Sequence, residues 1–185
     1  MVRTISRRND APGDLEIVRN FINTLNVETG ADDFKEPADL RSWLADNGQM
    51  GRREHVDEDD LRQARDFREA LRDMAGRCLT PADRAVLDEV GHGLAPRFGK
   101  DGDVVLEACG QGCAKPLERL LGIAVTSVIT GEWEHLKTCR AETCRWAFYD
   151  NTRNHSAVWC DMAVCGSRAK SRASYQRRKA TIQDF

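Results

Sequence analysis

Four of the seven cysteines lie near the end of the chain in two equally spaced pairs, and this spacing constrains the fold more than any other feature. Four residues separate the members of each pair, and fifteen residues separate the pairs, which are Cys139 with Cys144 and Cys160 with Cys165. Structural zinc takes four soft ligands in a tetrahedron, usually as two close pairs on turns. The spacing therefore predicts one structural Zn²⁺ ion bound by these four thiolates.

Two other interpretations of the four cysteines are open at this point. Buried thiols that only pack in a core have no reason to occur in matched pairs. An iron–sulfur cluster also uses four thiolates, but it would colour the protein. His135 and His155 lie near the cysteines in the sequence, yet four thiolates already complete a zinc site, so neither histidine is predicted to be a ligand.

The N-terminus has basic residues but no apolar run behind them, so it does not have the pattern of a secretory signal. We therefore expect a cytoplasmic location, where paired cysteines indicate metal binding more often than disulfides. The other three cysteines have no evident partner pair. Cys109 and Cys113 are expected in a loop or in the core, and Cys78 is expected to pack on an apolar helix face.

Charge is unevenly distributed along the chain. From Cys139 onward, nine Lys and Arg residues oppose four acidic residues, which gives +5, whereas the first 138 residues carry a net charge of −7. A basic end on an acidic body favours binding to a polyanion. A merely solvated tail is the alternative.

Residues 1–136 are predicted to form a helical domain that senses a ligand or binds a partner. Apolar residues at helical spacing, together with capping sequences, predict helices over residues 14–27, 37–48, from about 57 to 78, 81–91 and 116–136. The segments LAPRF and VVLEA flank an Asp-Gly turn signal, which predicts a small β-hairpin over residues 94–108.

Residues 137–185 are predicted to form a zinc finger of the treble-clef kind. In that arrangement a loop carries two ligands, a hairpin follows, and a turn with the start of a helix supplies the other two. The predicted fold class is thus mainly α, with a small hairpin in the N-terminal domain and a four-cysteine finger that ends in a basic helix.

The segment after the last cysteine is predicted to be that basic helix. Arg168, Arg172, Tyr175 and Lys179 recur at helical spacing and would form one stripe. A basic helix of this length suits phosphate contact in a DNA major groove. The predicted nucleic-acid contacts are Arg153, Arg168, Lys170, Arg172, Arg177, Arg178 and Lys179.

The segments CRAETCRWAFYDNTRN and WCDMAVCGSRAKSR resemble the CGNR zinc-finger family over residues 139–172. The segments NFINTL and DLRSWL in the body resemble the ABATE domain, which accompanies this finger and is named for stress-induced transcription regulators. The chain departs from the finger pattern at Ser167, where the family has Asn, and at Ala157-Val158, where it commonly has two Arg. The resemblance implies a DNA-binding transcription regulator in the stress response.

The residues and the resemblance together favour a zinc-containing regulator that binds double-stranded DNA, with a small-molecule effector or a protein partner for the helical domain. The alternative is a zinc-stapled protein-interaction module that does not bind DNA. Catalysis is not expected, because the chain has no nucleophile elbow, no phosphate-binding loop and no HExxH motif.

Overall fold

The computed structural model describes residues 10–183, so residues 1–9 and 184–185 of the predicted domains lie outside the described residues. The described part is mainly helical, which confirms the predicted fold class. The elements in chain order are α1 (Leu15–Ile22), β1 (Leu25–Asn26), β2 (Ala31–Asp32), α2 (Pro37–Asp46), α3 (Glu58–Ala75), α4 (Pro81–Gly91), β3 (Leu94–Phe98), β4 (Val104–Ala108), α5 (Ala114–Thr130), a 3₁₀ turn (Glu132–His135), β5 (Leu136–Thr138), β6 (Ala147–Tyr149), a π-helical turn (Met162–Gly166) and α6 (Ser167–Gln183). Within the described range, no helix is both long and apolar enough to cross a membrane.

The strands form three separate antiparallel hairpins, β1–β2, β3–β4 and β5–β6. In β3–β4, Leu94 pairs with Ala108 and Phe98 with Val104, so the hairpin predicted from LAPRF and VVLEA has the expected strands. In β5–β6, Leu136 pairs with Tyr149, and the first cysteine pair lies in the connection between the two strands. The sequence predicted that the first cysteine pair lies in a loop before the hairpin of the finger. In the structure, the pair lies in the turn of that hairpin.

Side-chain caps fix the start of the two clearest helices. The Asp57 carboxylate accepts hydrogen bonds from the backbone N–H groups of Asp59 and Asp60, both at 2.9 Å, and begins α3. At α4, Thr80 and Asp83 form a capping box, in which each side chain accepts a hydrogen bond from the backbone N–H of the other residue. Pro81 is the first helical residue. Such caps satisfy backbone donors that have no partner inside the helix. The bounds of α4 match the prediction, because the capping residues Thr80 and Asp83 and the first-turn residue Pro81 act on the helix they adjoin.

The first helix ends at Ile22, so the prediction that it continues to residue 27 is wrong. The side-chain amide of Asn23 donates to the Ala147 carbonyl and its oxygen accepts from the Ala147 N–H, each at 2.8 Å. The Thr24 hydroxyl donates to the Phe21 carbonyl at 2.8 Å. These side-chain bonds compete with continuation of the helix. Leu25 lies instead in strand β1.

Two further expectations about helix ends are corrected by the structure. The helix predicted over residues 116–136 stops at Thr130, because Gly131 adopts a left-handed conformation with φ of +84° that favours glycine. Cys78 was expected on the apolar face of the third helix, but α3 ends before Gly76 and the Cys78 side chain is exposed.

The hydrophobic core of the helical domain includes residues of the β5–β6 hairpin. Leu136, Ala147 and Tyr149 are buried against the helices, whereas Phe148 is buried in a second, smaller cluster with the four paired cysteines. Successive strand residues point to opposite faces, so β6 contributes to both clusters at once. The finger is therefore packed onto the helical domain through a shared hairpin.

Arg72 joins the same elements from inside the protein. Its side chain is fully buried, and its guanidinium donates to the carbonyls of Ile22 at 2.6 Å, Leu25 at 3.2 Å and Arg145 at 3.0 Å. The Nε atom donates to Glu69 at 2.9 Å. One side chain thus satisfies carbonyls at the end of α1, in β1 and in the cysteine segment.

Replacing Arg72 with Met should lower the free energy of unfolding by about 3 kcal/mol, because three carbonyls and a carboxylate lose their buried donor. Urea denaturation followed by circular dichroism measures this loss. Arg62→Met is the matched control in the same helix, since Arg62 is exposed and forms a surface ion pair with Asp59. It should change stability by less than about 0.5 kcal/mol. Equal effects of the two changes would contradict the role given to Arg72.

Candidate metal centre and basic helix

The first cysteine pair is held by a tight turn at the end of β5. The Cys139 N–H donates to the Trp146 carbonyl at 2.9 Å, and the Cys144 N–H donates to the Ala141 carbonyl at 2.7 Å. Arg145 follows with a positive φ of 46°, which reverses the chain into β6. The turn therefore directs both cysteine side chains to one side.

The second pair is organised by Asp161. Its carboxylate accepts from the backbone N–H groups of Ala163 at 2.7 Å and Val164 at 3.0 Å. Its carbonyl accepts from the Cys165 N–H at 2.9 Å. This capped turn places Cys165 beside Cys160 and continues directly into α6.

The four sulfur atoms of Cys139, Cys144, Cys160 and Cys165 lie within 4.8 Å of one another, and all four residues are buried. The Sγ atoms of Cys144 and Cys160 are 3.7 Å apart, and those of Cys160 and Cys165 are 3.8 Å apart. A tetrahedral zinc ion with Zn–S bonds of about 2.3 Å requires sulfurs separated by roughly 3.8 Å. These distances are too long for disulfides. The four thiolates fit one structural Zn²⁺, which confirms the predicted cofactor.

The protonation state of the four sulfurs depends on whether a cation is bound. Hydrogen bonds with Cys139 and Cys144, together with burial, raise the pKa of the Cys160 thiol far above its usual range. Burial and the charges of Cys144 and Cys139 raise the pKa of Cys165 to about 11. A divalent ion reverses this, since a coordinating thiol is deprotonated outright. The closed four-thiolate shell has no open position for a reacting water, so the zinc is structural.

The two nearby histidines are not part of the group of metal-ligating residues, which consists of the four cysteines. The rings of His135 and His155 stack with their centroids 3.8 Å apart. The His155 Nδ1 atom lies 2.9 Å from the Asp150 carbonyl. The remaining cysteines are also elsewhere, with Cys78 and Cys109 exposed and Cys113 buried in the helical core.

Asp150 organises the turn after β6, a role that sequence analysis missed. Its buried carboxylate accepts from the Lys137 ammonium at 2.7 Å, the Thr152 hydroxyl at 2.6 Å and the Ala157 N–H at 2.8 Å. Burial raises the pKa of Asp150, but these hydrogen bonds outweigh it and lower the pKa to about 2. The Asp-x-Thr spacing was the available signal, because Asp side chains often bond the backbone two residues on.

The basic helix extends away from the metal centre. Its six basic residues are all exposed: Arg168, Lys170, Arg172, Arg177, Arg178 and Lys179. Arg168, Arg172 and Lys179 share a face with the exposed Tyr175, as the helical spacing predicts. Arg153 lies instead on the exposed turn after β6.

Arg168 also forms an ion pair with Glu28, which lies between β1 and β2 in the helical domain. The guanidinium is 55% exposed and the carboxylate is 28% exposed, so solvent still reaches both groups. An ion pair of this exposure stabilises the fold by at most about 1 kcal/mol. A stronger anionic partner can therefore displace Glu28 at small cost.

Fold and site together define a class of protein in which a helical domain carries a four-cysteine zinc finger on a shared hairpin. The family model for the CGNR zinc finger matches residues 135–178. The ABATE model, described as "Putative stress-induced transcription regulator", matches residues 16–132. The chain therefore belongs to the ABATE family and carries its domain together with a CGNR zinc finger. Among curated proteins, none matches this sequence.

Cys160→Ser should reduce zinc content from one ion per chain to well below one, because a structural site with three thiolates binds zinc far more weakly. Elemental analysis after dialysis against a chelator measures the change. Cys109→Ser is the control, because Cys109 is exposed and outside the cluster, and it should retain full zinc content. Full zinc content in Cys160→Ser would contradict the assigned ligand set.

Asp150→Asn should lower the free energy of unfolding by about 2 kcal/mol at pH 7, as expected for a carboxyl whose pKa is depressed from its usual 3.9 to about 2. The stabilising contribution is complete above pH 4 and is lost as the pH falls towards 2. The difference between wild type and variant should therefore stay constant from pH 7 to 5 and shrink below pH 4. Urea denaturation at each pH measures the difference, and the zinc content of both proteins is measured at the same pH values. A difference that grows in acid would contradict this account.

Proposed function

We propose that this protein is a cytoplasmic transcription regulator that binds double-stranded DNA through α6. The observation that carries the proposal is the charge of the helix. From Met162 to Gln183 the sequence contains six basic residues and no acidic residue. A helix that is polar on all sides does not stabilise itself by burying an apolar face. A polyanionic partner supplies the missing interaction, because each phosphate it contributes neutralises a cation and releases counterions.

The dimensions of α6 support a groove-binding role. The helix has 17 residues, which gives a length of about 25 Å. The B-DNA major groove admits a single α-helix. Arg168, Arg172 and Lys179 would face the DNA along one side, and the exposed Tyr175 lies between them. Arg153 on the preceding turn would contact a neighbouring phosphate.

Zinc would act in this function as a support for the helix. Cys165 lies in the turn that leads directly into Ser167, so metal coordination fixes where α6 begins. The proposal includes no catalytic step, since four thiolates complete the coordination of the ion.

The helical domain would supply the regulatory input. A cavity of about 900 Å³ lies between α1, β4 and α5. Ile17, Val105 and Ile123 give it apolar surface, while Asn20 and Arg119 add polar groups. Its volume lies in the range of sites for small organic ligands, and its mixed polar and apolar lining suits a polar ligand. This supports a small-molecule effector for the domain.

One observation favours the alternative of a protein-interaction module. Val158 and Met162 expose 40% and 54% of their surface on the finger, near the position where the family commonly has two arginines. A protein partner that covers these side chains would make them buried. The same DNA-binding experiment separates the two functions.

Wild-type protein should retain duplex DNA with a log–log salt slope of about −4 to −5, as for about five phosphate contacts. The double change Arg168→Ala and Arg172→Ala should reduce the slope by about 2 and leave zinc content unchanged. Fluorescence anisotropy with a labelled random duplex at several salt concentrations measures both slopes. Arg62→Ala is the control for the loss of an exposed arginine. No retention of duplex by the wild type would favour the interaction module, and full retention by the double variant would exclude α6 as the contact surface.

A further inference from the structure

A cleft of about 300 Å³ lies beside the metal centre, between the first cysteine turn and α6. Arg140 and Glu142 line it from the cysteine turn, and Arg168, Arg172 and Gln176 line it from the helix. Three arginine residues from two separate segments thus line one small volume, with Glu142 as the acidic residue among them. Arg140 was not among the residues predicted from sequence to contact nucleic acid.

Arg140 is held in place by its backbone. Its N–H donates to the Val158 carbonyl at 2.9 Å, which ties the cysteine turn to the segment before Cys160. The opposite wall is formed by Ala169 and Ala173 of α6, whose small side chains do not fill the space. The two walls are therefore fixed by the finger, and the cleft between them stays open.

Trp159 also lines the cleft and is half-buried. It lies against Gly166, where an added Cβ would stand 3.2 Å from Trp159 Cδ1 and 2.4 Å from Met162 Sδ. A larger residue at position 166 would force these side chains to move. The glycine thus leaves room for the Trp159 ring at the cleft.

We propose that this cleft binds one phosphate group of the DNA backbone, with Arg140 on one side, Arg168 and Arg172 on the other, and Trp159 against the adjoining deoxyribose. The inference rests on the DNA-binding function proposed above and adds a second contact surface to α6. Guanidinium groups form paired, charge-assisted hydrogen bonds with phosphate oxygens. An aromatic side chain in the same cleft can pack against the apolar face of a sugar.

Glu28 competes with the phosphate for Arg168. The Glu28 carboxylate pairs with this guanidinium in the absence of DNA, and a phosphate that enters the cleft would take over the pairing. The contact links the helical domain to the proposed DNA surface. Removal of the Glu28 charge should therefore strengthen DNA binding, whereas removal of Arg140 should weaken it.

The alternative to phosphate binding is a role at the metal centre, because Cys144 and Cys165 also line the cleft. Four thiolates around one Zn²⁺ leave a net negative charge, which nearby cations stabilise. If Arg140 served only that purpose, its removal would weaken zinc binding and leave the phosphate dependence of DNA binding unchanged. Zinc affinity must therefore be measured beside DNA affinity.

The test compares full-length zinc-loaded wild type, Arg140→Ala, Glu28→Gln and the control Arg62→Ala in anisotropy titrations with a labelled duplex at several salt concentrations. Arg140→Ala should weaken binding roughly ten-fold and reduce the salt slope by about 1. Glu28→Gln should tighten binding a few-fold, and Arg62→Ala should have no effect. Zinc affinity, from competition with a chromogenic chelator, should be the same in all four proteins.

Three results would overturn the inference. Arg140→Ala with wild-type affinity and slope would remove the cleft from the DNA surface while leaving the proposed function of α6 intact. Weaker zinc binding with an unchanged slope would assign Arg140 to the charge of the metal centre. A wild type that retains no duplex would overturn the proposed function, and the cleft assignment with it.

Discussion

The packing of four buried sulfurs within 4.8 Å of one another is the constraint on which the rest of the C-terminal structure depends. Without a cation the buried thiols stay protonated and contribute only packing, because their pKa values are raised. Zinc converts the same cluster into a set of strong bonds, so the free energy of metal binding becomes free energy of folding. Among the fully buried residues of this cluster, only Phe148 is not a cysteine. The metal replaces the apolar core that the segment lacks.

The finger and the helical domain are nevertheless one packed unit at their junction. Ala147 and Tyr149 of β6 point into the helical core, while Phe148 between them points to the cysteines. Arg72 and Asn23 add hydrogen bonds from the helices to the same segment. Because a ligand that binds only the folded state stabilises everything folded with it, zinc bound at the finger also stabilises the helical domain through this strand.

The features that could be predicted from sequence are those that depend on neighbouring residues. The cysteine spacing, the Thr80-Pro81 cap and the Asp101-Gly102 turn each act within a few positions, and the zinc cluster, α4 and the β3–β4 hairpin follow from them. The end of α1 could not be predicted, because Asn23 bonds to Ala147, which is 124 residues further along the chain.

The arginines illustrate the same limit. Composition alone makes Arg72 look like a surface residue of an amphipathic helix, since nothing near it in sequence reveals that three distant carbonyls converge on it. Arg140 likewise resembles any basic residue between two ligands until α6 is seen to lie across a cleft from it. Charge counts locate the basic end of the chain, but only the fold decides which guanidinium groups face one another.

Helix α1 contacts both the cavity of the helical domain and, through the residue that follows it, the hairpin of the finger. Ile17 and Asn20 line the cavity, and Asn23 immediately after the helix holds both backbone groups of Ala147. A cavity ligand that binds better to one position of α1 than to another would therefore displace β6, and with it Phe148 beside the cysteines. Two hydrogen bonds between Asn23 and Ala147, together with the burial of Ala147 in the helical core, fix the position of β6 relative to α1.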